Sequence, residues 1–158
     1  MSKIMKESPT VEQLKGALKN LKNYELWMLY SLANILAVDY KGTGVIHNAL
    51  LESFLVHARI LIEFFFKDEE YKDTVRASHY IESGNSWKNI RPQKTKLIDE
   101  TEKNAHKYLA HITYTRLKDK KEWPFIEITN EIDSVMKVFM ENLPEEFTLE
   151  INNEQKPS

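Results

Sequence analysis

The chain has 158 residues, 42% hydrophobic and 29% charged, a length and balance that fit one globular domain whose core needs no staple. It has no cysteine, which excludes disulfides, cysteine-ligated zinc and thiol nucleophiles. A net charge of −2 excludes a globally basic nucleic-acid binder.

The charge is unevenly spread. Residues 88–121 carry ten Lys or Arg against four Asp or Glu, while residues 122–158 sum to −7. The basic band reads first as a face turned toward the chain's own acidic C-terminal segment, and second as an attractor of phosphate. Residues 1–6 lack the apolar run of a secretory signal, so a reducing cytoplasm is the expected compartment. No membrane is expected either. The apolar stretch at 45–66 carries Glu52, Arg59 and Glu63, whereas a span needs about 20 residues with few charges.

In chain order, Ser8-Pro9 reads as an N-cap followed by Pro at the first helical position. The helix after it is expected to bend near Asn20 to Asn23. It runs on through Leu26, Leu29, Ala33 and Leu36 and stops by Gly42-Thr43-Gly44. A second helix spans 46–66. Its Leu51, Phe54, Leu55, Ala58, Leu61, Ile62 and Phe65 fill an arc too wide for a surface helix, so it is the central element.

Residues 67–94 are the least regular, with a short helix at 75–81 and a loop at Ser83-Gly84-Asn85-Ser86. A third long helix covers 95–117, its apolar line Ile98, Ala105, Leu109 and Ile112. Trp123-Pro124 opens the last, in which Phe125, Ile128, Ile132, Val135, Phe139 and Leu143 recur at helical steps until Pro144. Residues 147–151 suit a small extended piece. The expected fold is all-α: an antiparallel bundle of four long helices with one or two short extra ones. It makes a single domain over 1–150 with a disordered tail at 151–158.

Two helices carry polar groups out of keeping with a core. Glu52, Arg59 and Glu63 share one stripe, within about 40° of each other, and read first as a salt-bridge ladder. His57 reads as a core histidine bonded to Ser53 or to a carbonyl. Asn104, Tyr108, His111 and Thr115 share a stripe on the third helix and read as a hydrogen-bond network. Arg116 near that helix's end reads as a cation favoured by the dipole.

Each group also has a chemical reading. Acid–base work on a phosphodiester needs a group titrating near neutral pH and a cation for the developing charge. His57, His106 or His111 could supply the first, Arg59 or Arg116 the second. Metal binding is disfavoured by spacing. Neither Glu-x-x-His nor His-x-x-x-His occurs, which leaves only a site with one ligand per helix. The Gly-x-Gly at 42–44 lacks the rest of a nucleotide-binding motif.

The segment from Asn48 to Phe65 (NALLESFLVHARILIEFF), together with Asn104 to Thr113 (NAHKYLAHIT), resembles a group of small bacterial and phage proteins whose pattern is similar to HEPN-type helical bundles. The likeness covers about 30 residues in two blocks. It implies a helical, usually homodimeric protein. Many such proteins are metal-independent ribonucleases of toxin–antitoxin or phage-defence systems, and others are inactive interaction modules. Active members place an Arg and a His four to six residues apart. Here Lys103-Asn104 stands in that region, and His111 follows.

Under this resemblance His111 is the acid–base group. Asn104, Tyr108 and His57 contact substrate, and Arg59 or Arg116 neutralises charge. RNA or a cognate antitoxin protein is then the partner, and no cofactor is required. A non-catalytic dimeric interaction module is the alternative, and a metal-dependent bundle enzyme the third.

Overall fold

In a computed structural model of the chain, residues 8–39, 44–68, 73–81, 86–110 and 122–152 are described. Among them every regular element is helical. The first helix starts later than Ser8-Pro9 suggests. Thr10 is the N-cap: its hydroxyl accepts from the Gln13 N–H at 3.2 Å, and the Gln13 side-chain Oε1 accepts from the Thr10 N–H at 2.8 Å. This reciprocal capping box satisfies two otherwise orphaned donors, which Pro9 cannot match.

From there one rod runs to residue 39. It comprises α1 (Val11–Asn20), a π-helical turn (Leu21–Leu26), α2 (Trp27–Asn34) and a second π-helical turn (Ile35–Asp39). The first of these wider turns falls where the sequence places a bend, near Asn20 to Asn23. Gly44, at φ 86°, then turns the chain into α3 (Val45–Phe66), a conformation costly for any residue with a Cβ. Residues 42 and 43 of the expected stop lie outside the described residues.

The irregular stretch after α3 is a cap. The last carbonyls of a helix have no partner within it. Here the Trp87 indole N–H donates to the Phe65 carbonyl at 2.7 Å. Arg91 donates to the carbonyls of Phe65 at 3.2 Å and Phe66 at 3.1 Å, and Arg76 to that of Glu63 at 3.1 Å. A 3₁₀ turn (Ala77–His79), narrower than the expected helix at 75–81, and the short α4 (Trp87–Ile90) hold these donors in place. Asp68 fixes Arg91 through a two-pronged pair at 2.9 and 3.1 Å.

The remaining helices are α5 (Lys96–Ala110), α6 (Phe125–Glu141) and α7 (Glu145–Asn152). Thr95 accepts from the Ile98 N–H at 3.2 Å, so α5 begins where the sequence places it, and residues 111–117 of that expected helix lie outside the described residues. The apolar line of α6 meets the core at Ile128, Ile132 and Phe139, all fully buried. Phe139 is the hub of an aromatic cluster, with ring centroids 5.4 Å from Phe64, 5.8 Å from Phe65, 5.6 Å from Tyr80 and 5.5 Å from Trp87. Edge-on pairs of this kind add about 0.5–1.5 kcal/mol each beyond burial.

The extended piece expected at 147–151 is helical instead. The Phe147 N–H donates to the Pro144 carbonyl at 3.0 Å, and its ring packs 5.1 Å from Tyr80. Acidic Glu145 and Glu146 sit in the first turn, where the helix dipole favours them. With no strand among the described residues to receive its backbone groups, this segment satisfies them within itself. No helix among the described residues is long and apolar enough to cross a membrane.

Candidate functional site

The polar groups of α3 fall on two sides of the helix. Phe66, the last residue of α3, meets the segment that leads into α5. Lys94, two residues before α5, lies 5.7 Å from the centre of the Phe66 ring. Arg59 is seven residues before Phe66 and therefore lies within about 20° of it around the axis. His57 is nine residues before it and so lies about 180° away. α3 and α5 pack on each other, with Arg59 on the Phe66 side of α3 and His57 on the opposite side.

His57 is 6% exposed and faces the first π-helical turn. Its Nδ1 lies 2.7 Å from a carboxylate oxygen of Glu25, itself only 8% exposed. Tyr24 stands edge-on to the imidazole at 5.5 Å, and Asn20 donates to the other Glu25 oxygen at 3.4 Å. The bonded partner is therefore neither Ser53 nor a carbonyl but a carboxylate 32 residues upstream. Glu25 was missed, although it lies four residues before Leu29 on the same apolar line as Ala33 and Leu36. An acid in that phase was the available signal.

Arg59 donates from Nε to Glu63 at 2.8 Å, and Lys67 approaches the same carboxylate at 3.9 Å. Partial burial alone would raise the Glu63 pKa. The Arg59 hydrogen bond, with the charges of Arg59, Lys67 and Arg76, outweighs it and holds the group below its ordinary value. The ladder read from the sequence is thus real for Arg59 and Glu63. Glu52, on the same stripe, makes no ion pair among the described residues.

On α5, Asn104 and Tyr108 are half-buried, and the Tyr108 ring stands edge-on to Trp123 at 6.3 Å. His111, Thr115 and Arg116 lie outside the described residues. The basic band does not pair with the acidic C-terminal segment in its described part. Lys88 and Arg91 pair with Asp68, Lys94 with Glu102, Lys96 with Glu100 and Lys103 with Asp99. Between the two regions the Thr95 hydroxyl donates to Glu131. Among the described residues no three His, Asp or Glu gather where a metal ion would sit.

Two surfaces are more open. Between the first π-helical turn with α2 and α6 runs a groove of about 540 Å³, floored by Leu26, Met136 and Met140 and flanked by Trp27, which is 58% exposed. The Tyr30 hydroxyl donates to Asp133 at 2.5 Å in its wall. The second surface is the outer face of α3. It presents Val45 at 85% exposure, Val56 at 41% and Ile60 at 42%, together with exposed Ala49. Comparison with protein-family models, with curated proteins and with solved structures finds no match.

Proposed function

We propose that this chain is a non-catalytic interaction module of HEPN-like type, working as a pair of identical copies. One observation carries the reading: the outer face of the central helix is apolar and uncovered, with Val45, Ala49, Val56 and Ile60 exposed along it. A central helix is normally apolar only where something packs on it. The placement of the candidate catalytic groups adds support. His57 is engaged by Glu25, Arg59 by Glu63, and the two point to opposite sides of α3.

A second reading keeps the RNA-directed activity of a toxin–antitoxin or phage-defence protein. It is favoured by the half-buried Asn104 and Tyr108, on the stripe that continues to His111. His111 would then be the acid–base group, and Arg59 or Arg116 the cation. One experiment separates the readings. The protein is incubated with total RNA beside a His111→Ala variant, and its mass is measured by light scattering. The module reading expects a two-chain mass and no cleavage that depends on His111. Cleavage lost in the variant overturns it in favour of the second.

A further inference from the structure

The pairing surface can be specified further, on the premise that the chain works as a pair. Around α3, Val45, Ala49, Val56 and Ile60 fall within about 60° of arc. They form a seam along a helix of 22 residues, about 33 Å long at 1.5 Å per residue. Glu52 and Arg59 lie on one margin of the seam, within about 20° of each other. They are seven residues apart, so the midpoint between them falls beside Val56.

We infer that a second copy of this chain packs antiparallel along the outer face of α3, with the two-fold axis beside Val56 and Glu52 of each copy opposite Arg59 of the other. The symmetry makes the argument specific. A two-fold relating antiparallel helices brings like margins together and pairs positions equidistant from the axis. Glu52 and Arg59 meet both conditions and carry opposite charge, so one register forms two identical ion pairs. Val56 then meets its own counterpart at the axis. Ile60 then falls at the level of residues 51 and 52 of the second copy, and Ala49, with its small side chain, at the level of residues 62 and 63.

In the single chain Arg59 keeps one bond to Glu63 and remains a third exposed at its side chain, while Glu52 has no ion partner among the described residues. Both are therefore able to take up the contact. A parallel two-fold would carry the Glu52–Arg59 margins of the two copies to opposite edges of the seam, where neither ion pair could form. The seam is a strip about 33 Å by about 10 Å, smaller than the roughly 800 Å² per partner of a standard stable interface. The pairing is accordingly expected to be concentration-dependent, in the micromolar range.

The test is sedimentation equilibrium of the full chain over a wide concentration range, for the natural protein, Glu52→Arg, Arg59→Glu and the double variant. Each single swap sets like charges together at both symmetric contacts and should weaken dimerisation at least about tenfold. The double swap, which restores opposite charges, should recover the affinity to within about threefold. Circular dichroism confirms that each variant is folded, and Val56→Asp provides a fourth way to break the seam. A dimer indifferent to both single swaps and to Val56→Asp overturns this surface while leaving the module reading intact. A monomer at every concentration overturns both. Loss in the single variants without recovery in the double variant overturns the antiparallel register.

Discussion

His57 and Arg59 stand two residues apart on one helix in opposite circumstances. His57 is sealed against Glu25 beneath the first rod, whereas Arg59 holds Glu63 at a half-open margin. The two contacts have nearly equal lengths, 2.7 and 2.8 Å, yet they do different work. A buried polar pair has little water to fall back on, so the loss of one member strands the other. An exposed pair exchanges one hydrated arrangement for another and contributes little. Length alone therefore says nothing about importance; surroundings decide it.

The buried pair is most sensitive at Glu25. Glu25→Ala should destabilise the fold by about 1–3 kcal/mol, measured by chemical denaturation, because it leaves the imidazole buried without a partner. Replacing Glu25 and His57 together by Leu should recover most of that loss, since two apolar groups leave nothing unsatisfied. If Glu25→Ala proves as mild as a surface change, the pair is not sealed as described.

Acid provides an intermediate test on the other side of α3. Glu63 is held below its ordinary value of 4.5, so its charged form is favoured by folding. That contribution is fully present above 4.5 and is lost as the pH falls through the lowered folded value. The acid limb of a stability–pH curve should therefore flatten in Glu63→Gln. An unchanged limb would assign the acid sensitivity to other carboxylates such as Asp68, which Arg91 and Lys88 likewise hold low against the opposing effect of its slight burial. The smallest effect is expected from Arg59→Ala, a few tenths of a kcal/mol in the single chain. A loss above about 1 kcal/mol would show that the two sides of α3 are more alike than their exposure implies.

The same contrast explains how far the sequence could be read. The long helices were legible because their apolar residues recur at helical steps, most clearly from Phe125 to Leu143. Arg59 with Glu63 was legible because both partners lie one turn apart on one helix. Glu25 with His57 was not, because the contact joins two rods and no local pattern reports it. The cap over α3 was hidden for the same reason: Arg76, Trp87 and Arg91 act on carbonyls more than ten residues upstream. Residues 147–151 misled because alternating apolar positions suit a strand as well as a short helix. The stripe of Asn104 and Tyr108 is half-buried as an edge should be, but its continuation to His111 and Arg116 lies outside the described residues.

The first π-helical turn sets the aim of Glu25. Such a turn accommodates one residue more than an ordinary helical turn, so everything after it is rotated by about 100° relative to an uninterrupted rod. Removing a single residue between Leu21 and Tyr24 would relax the rod to regular pitch. It would swing either the carboxylate off the imidazole or the preceding helix off its leucines. What orients this buried acid is thus a count of backbone units, a property that survives many side-chain replacements but not one deletion.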